Sequence, residues 1–225
     1  MNSSNQTKLT SLRLFLFVAL HLGLVTHVIA DPFAYVGHLS NTGQAGLLSM
    51  IVTASNINVG TIPVRLTPAG LAVNPAGTRV YVSNYADGTI SVIDTATRTV
   101  IATVRLGPCP NPSSGITSCV PAGVAISPDG TRVYVAHLIA SGNTGFTGAI
   151  SVIDTVNNSV AATLPIGPFD PRGIAVNPQE DRIYVANSPL NSVLVINTIG
   201  LQVVATIPVG INPVSVAVHP AGTRV

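Results

Sequence analysis

The chain is poor in charge. Only 8% of its 225 residues are Asp, Glu, Lys or Arg, and Glu180 is its one glutamate. It has no Trp and two Cys. Ten basic residues against eight acidic ones leave a formal charge of +2, with no basic run. That argues against a nucleic-acid binder of the usual electrostatic kind. The lack of Trp further argues against a stacking platform for single strands. Too little Glu and Lys, with 20 Gly and 17 Pro, excludes a coiled coil. Disordered chains are poor in apolar residues, whereas this one is 47% hydrophobic. The sequence contains no Gly-x-Ser-x-Gly elbow, no His-Glu-x-x-His and no phosphate-cradling Gly-Lys loop. A glycosidase-like carboxylate pair would have to be two Asp. Catalytic residues, a metal and a cofactor are therefore not expected, and an enzyme is the less favoured class.

What is present begins with a targeting pattern. Lys8 and Arg13 precede the apolar run Leu14–Val25, and Val28-Ile29-Ala30 stands before Asp31-Pro32. This reads as a secretory signal over residues 1–30, cut after Ala30. The run is short for a membrane span. Loss of Lys8 and Arg13 leaves eight basic and eight acidic residues, a net charge of zero. Export would place Cys109 and Cys119 in an oxidising compartment, where so close a pair forms a disulfide. Closing a loop of about ten residues contributes on the order of 2–3 kcal/mol on the chain-entropy model. A zinc site would need two more ligands, and no His lies nearby in sequence.

One unit is written several times. Pro68-Ala-Gly-Leu-Ala-Val-Asn-Pro-Ala-Gly-Thr-Arg-Val-Tyr-Val-Ser-Asn84 returns over Pro121–His137, again over Pro171–Asn187, and in part over Pro213–Val225. The leading prolines lie 53, 50 and 42 residues apart. A second unit follows each: Ile90-Ser-Val-Ile-Asp-Thr95, Ile150-Ser-Val-Ile-Asp-Thr155 and Val193-Leu-Val-Ile-Asn-Thr198. Each repeat holds four short runs rich in Val, Ile and Thr, bounded by Gly, Pro, Asn and Asp, which are strand and hairpin signals. Pro128-Asp129-Gly130 supplies fixed φ, a local carboxylate and tolerance of positive φ. Asp94 and Asp154 end third strands, as turn formers that accept amides rather than as acids.

Four antiparallel strands in 42 residues is the blade of a β-propeller. The fold class is all-β, with residues 31–225 as one propeller domain. Its units are expected at about 33–67, 68–120, 121–170, 171–212 and a partial 213–225. Ala72, Ala125, Ala175 and Ala217 recur on the first strand, where small residues suit the crowded axis.

Val80-Tyr81-Val82-Ser83-Asn84 and Ile183-Tyr184-Val185-Ala186-Asn187, with the preceding Asn-Pro-x-Gly turn, resemble the YVTN β-propeller repeat family over about residues 33–225. That resemblance implies an exported or cell-surface protein and a ring commonly of seven blades. Because Arg224-Val225 stops one residue before the expected Tyr, the chain is expected to be a truncated part of such a ring. Related propellers include sugar-lactone hydrolases and subunits of periplasmic oxidoreductases, but no catalytic motif of theirs matches here.

Two repeats carry insertions, Pro108–Val120 between a fourth and a first strand, and Leu138–Gly148 between a second and a third. Successive antiparallel strands end on alternating sides, so both insertions emerge on one face, the expected binding face. His38, Asn84, His137 and Asn187 begin loops there. Arg79, Arg132, Arg182 and Arg224 recur at the opposite end of the second strand, either ringing the channel mouth or paired locally. The leading expectation is a binding or interaction scaffold at the cell surface or in the periplasm. A protein or small ligand would sit on the loop face, with no nucleic acid and no membrane span after signal cleavage. The alternative is a propeller enzyme or redox-accessory protein, lactonase-like or oxidoreductase-subunit-like, using His38 and His137.

Overall fold

The computed structural model describes residues 33–39, 46–107, 119–140, 146–167 and 169–225. The proposed signal segment and Cys109 lie outside them. The described residues form fifteen strands in four antiparallel sheets, with no helix. The first sheet holds β1 (Phe33–Leu39), β2 (Gly46–Val52) and β3 (Ile57–Val64). The second holds β4 (Pro68–Val73), β5 (Arg79–Asn84), β6 (Thr89–Asp94) and β7 (Thr99–Arg105). The third holds β8 (Val120–Ile126), β9 (Arg132–Ala140), β10 (Phe146–Asp154) and β11 (Ser159–Gly167). The fourth holds β12 (Pro171–Val176), β13 (Arg182–Asn187), β14 (Ser192–Asn197) and β15 (Gln202–Pro208). Each sheet is a propeller blade in strict up-and-down order.

The recurring phrases build recurring turns. In the first hairpin of the second, third and fourth blades an amide closes onto the carbonyl three residues back: Gly77 onto Asn74 at 2.8 Å, Gly130 onto Ser127 at 2.9 Å, Glu180 onto Asn177 at 3.0 Å. Gly77 and Gly130 hold φ of 69° and 75°. Glu180 holds 59° without glycine's freedom, at a cost of roughly 1 kcal/mol. At the second hairpin on that side Asp94 accepts the amides of Ala96 and Thr97, Asp154 those of Val156 and Asn157, and Asn197 those of Ile199 and Gly200. The following Thr then ties the two turns together, Thr95 donating to Gly77 O and Thr155 to Gly130 O. The Asp-Thr or Asn-Thr that closes each third strand is thus turn chemistry.

Burial explains the shortage of charge. β5 and β6 are buried on both faces, whereas the outermost β15 is exposed along its length. Leu48, Met50 and Ile62 on the back of the first blade meet Val80, Val82 and Ile93 on the front of the second. The back of the second (Tyr81, Val92, Val104) meets the front of the third (Val124, Val135, Ile153). The back of the third (Tyr134, Ile150, Val152) meets the front of the fourth (Ile174, Val185, Ile196). Each buried Val, Ile or Leu contributes about 1.5–3 kcal/mol relative to exposure. Arg98 adds a cation–π contact from the second blade to Phe33 of the first, 5.8 Å from the ring centroid.

Near the axis it is glycine, two residues before the recurrent Ala, that permits close approach. A methyl on Gly70 would stand 2.3 Å from Ala122 O, and one on Gly123 2.3 Å from Arg172 O. The register shifts at this point in each first strand, between Pro68 and Leu71, Pro121 and Val124, Pro171 and Ile174. Ala72 and Ala125 instead pack on the apolar clusters.

Two expectations are modified. Leu138–Gly148 is not wholly loop, because β9 and β10 run on to pair Ile139 with Thr147 and Ala140 with Phe146. The apolar Leu138-Ile139 continues the strand pattern. Residues 214–219, expected as a first strand, form their turn (His219 N to Arg224 O, 2.8 Å) but have no ladder partner among the described residues.

Gly123→Ala is expected to destabilise the protein by about 1–3 kcal/mol, the usual cost of forcing atoms into a packed site. Gly200→Ala, whose added methyl meets nothing closer than 3.8 Å, is expected to be near neutral. Urea denaturation of the two variants checks this.

Candidate functional site

The two kinds of connection expected on one face are hydrogen-bonded to each other. Tyr85 N donates to Thr67 O at 2.8 Å, Leu66 N to Asp87 Oδ2 at 2.8 Å, and Val209 N to Asn191 O at 2.8 Å. Arg65 pairs with the same Asp87 carboxylate at 3.0 Å. The loop face is therefore a woven platform. The tips of its insertions, residues 108–118 and 141–145, lie outside the described residues.

Of the four side chains expected to begin loops on this face, Asn84 and Asn187 end β5 and β13, and His38 is next to last in β1. His137 instead lies inside β9 opposite Ala149, because that strand runs on to Ala140. The four also differ in exposure. Asn84, His137 and Asn187 are fully buried, and His38 is exposed. Buried polar groups need partners, and a polar row across strands two to four supplies them. Asn84 Nδ2 donates to Thr89 Oγ1 at 3.1 Å and to Ser91 Oγ at 3.0 Å. His137 Nε2 lies 2.8 Å from Ser151 Oγ, which lies 2.9 Å from Thr163 Oγ1. His38 repeats the arrangement, its Nδ1–H donating to Leu39 O at 2.9 Å and its Nε2 lying 2.8 Å from Ser49 Oγ. The fourth blade breaks the row. Leu194 stands where the others have Ser, and Asn187 keeps only a 3.4 Å contact to Ser192 Oγ. This Ser–Thr register was in the sequence, inside Ile-Ser-Val-Ile-Asp, but its partner could be found only by pairing the strands.

Burial holds the His137 imidazole near neutral. Desolvation lowers its pKa from 6.5 to about 4, partly opposed by the backbone at Leu138. Asn84 Oδ1 and Asn187 Oδ1 have no hydrogen-bond partner among the described residues.

The recurrent arginines are tied locally. Arg79 pairs with Asp94 across the strand pair, and Arg182 lies 3.8 Å from Asp181. Arg132 stands beside Tyr134, with Glu180 and Asp129 further raising its pKa. Asp129 is held below the usual carboxylate range by the Ser127 hydroxyl and the Thr131 amide, while burial, then Asp129, pushes Glu180 up. Arg224 is exposed in the last turn. Cys119 is buried. Among the described residues no three His, Cys, Asp or Glu converge as metal ligands, and no helix is long and apolar enough to cross a membrane.

Fold and platform define a β-propeller repeat protein. No family model matches the chain. Over 153 residues it is 28% identical to a protein described as antigen Lp49, from Leptospira interrogans serogroup Icterohaemorrhagiae serovar copenhageni (strain Fiocruz L1-130). The match covers 68% of this chain but 31% of that relative, so the chain spans about a third of its length. Among solved structures, Kuenenia stuttgartiensis hydrazine synthase is similar with a TM-score of 0.40 and 17% identity, over 85% of this chain and 90% of that one.

His137 links stability to pH. An imidazole whose folded pKa is lowered leaves the unfolded state binding more protons between the two values. Stability from this source is complete above about pH 6.5 and falls as pH drops toward 4. The loss is expected to reach a few kcal/mol. His137→Asn, which installs the residue of the second and fourth blades, is expected to remove it. Urea midpoints at neutral pH and near pH 4 check the difference.

Proposed function

We propose that this chain is an exported binding or interaction scaffold of the YVTN propeller type, working at the cell surface or in the periplasm. The observation that carries the reading is the hydrogen-bonded loop face, on which both insertions emerge. A rigid scaffold presenting variable loops is a common way to build a recognition surface. In this reading the ligand is a protein or small molecule held by the insertion loops. Asn84, His137 and Asn187 fix the strand ends beneath it, and His38 meets solvent at its edge. A Cys109–Cys119 disulfide clamps the longer loop. The repeat phrases support the family. The N-terminal segment supports export, and the 28% likeness to a bacterial antigen agrees with it.

Expressed in a Gram-negative host, the full chain is expected in the envelope fraction with Asp31 at its new N-terminus. Capture of an envelope partner is expected to be lost on deletion of residues 139–147 and retained in Arg224→Ala on the opposite face. Recovery of cytoplasmic protein still starting at Met1 would contradict export. Equal capture by the deletion variant would contradict the loop face.

A further inference from the structure

We propose that His137 is an acid-operated latch for the loop face. When its buried ring takes a second proton, the roots of both insertions come loose together while the rest of the third blade stays folded. With the loop face as the binding face proposed above, a ligand held there is then released faster.

The register places the latch. Val120, where the first insertion ends, pairs with Leu138, and Leu138 pairs on its other side with Gly148. The end of the first insertion and both ends of the second thus share one ladder row. His137 holds the next row, between Pro121 and Ala149. Toward the loop face only three rows of β9 and β10 lie beyond it, those of Leu138, Ile139 and Ala140. The second and fourth blades have an amide at the same junction, Asn84 opposite Pro68 and Asn187 opposite Pro171. An amide side chain does not titrate. Of these three blades, the one on which both insertions are rooted has the imidazole.

The ring sits in a box without a counter-charge. It lies on the front of the third blade with Val135, two residues before it, and is fully buried. Its Nε2 lies 2.8 Å from Ser151 Oγ, which lies 2.9 Å from Thr163 Oγ1. A doubly protonated ring only donates. Ser151 then accepts from it and turns its own hydroxyl proton to Thr163, and neither group carries charge. In the same sheet Arg132 and Asp154 face each other five residues away, about 16 Å along the strand. Tyr134 belongs to the back of the blade. In the cluster between the second and third blades the titratable side chains are Tyr81 and Cys119. Arg79 pairs with Asp94 at the far end of the second blade, Arg65 with Asp87 in the platform, and Arg172 with Asp170 ahead of the fourth blade. Arg105 alternates with the clustered Val104, so it turns to the other face of its sheet. Burial, and not a neighbouring charge, moves the ring from 6.5 to about 4.

Opening the rows nearest water is the smallest change that hydrates the cation, and proteins open in local units of this kind. Ile139 is part exposed at the platform end, whereas Val133, Val135 and Ala136 are fully buried below the ring. The folded pKa is lowered, so the closed form is favoured above about 6.5 and loses ground as pH falls toward 4. From pH 7 to pH 5 the ratio of open to closed rises about twenty-fold.

Residue-resolved hydrogen exchange on the full chain tests the latch. Between pH 7 and pH 5, after correction for the intrinsic rate, protection across Leu138–Ala140 and Phe146–Gly148 is expected to fall by that factor. Protection across Val133–Ala136 is expected to hold, as is that of the Asn84 and Thr89 row in the second blade. This contrast within the wild type needs no variant. In His137→Asn the fall is expected to vanish. A ladder whose protection ignores pH, one that fails together with Val133–Ala136 in a single step, or an equal fall in His137→Asn overturns the proposal. Release of a captured envelope partner passes through the open form. Its dissociation is expected to quicken by the same factor in the wild type and not in His137→Asn, and an unchanged wild-type rate also overturns the latch. Absence of capture at both pH values contradicts the scaffold reading alone, because hydrogen exchange still decides the latch.

Discussion

Contact between the apolar faces of neighbouring sheets is the interaction on which everything else here depends. A four-stranded sheet of six-residue strands cannot bury both its faces alone. Stacked, the central strands β5, β6, β13 and β14 become almost wholly buried while the outer strands stay wet. The stacking must close up near the axis, and there the limit is backbone volume. Gly70 and Gly123 set how near one blade may come to the next, because their missing methyls leave room for a neighbour's carbonyl.

The same stacking explains the polar side chains in the interior. Asn84 and His137 sit in a row with Ser91, Thr89, Ser151 and Thr163 that would cost several kcal/mol if left unpaired, and is largely paired. Their hydrogen bonds hold the second strand of the blade against the third. A protonatable imidazole in such a place also makes the blade acid-sensitive, which asparagine at the same position does not.

The architecture was legible because each repeat spells its own turns. Asp94 and Asp154 take amides as their place before Thr implies, and Gly77 and Gly130 hold the positive φ that Pro-x-Gly turns need. Side-chain environment across the stack was not legible in the same way. Asn84, His137 and Asn187 sit at loop starts in sequence, yet a blade in front covers them, and only the third dimension supplies that blade. Ala was the visible small residue on the first strand, but a strand's partners at the axis decide which position is crowded, and that is Gly70 or Gly123. The longer β9–β10 hairpin was hidden because Gly148 and the polar tip read as loop, while Leu138-Ile139 can pair only once the opposite strand is in place.

Backbone hydrogen exchange, resolved strand by strand, tests the stacked-blade account most directly. In every blade the amides of the third strand (β2 in the first, then β6, β10 and β14) should exchange slowest, and those of the outermost strand (β3, β7, β11 and β15) first. Burial by stacking produces the same order four times over, with only the end blades somewhat faster. Protection confined to one sheet, or outer strands as slow as central ones, would contradict it.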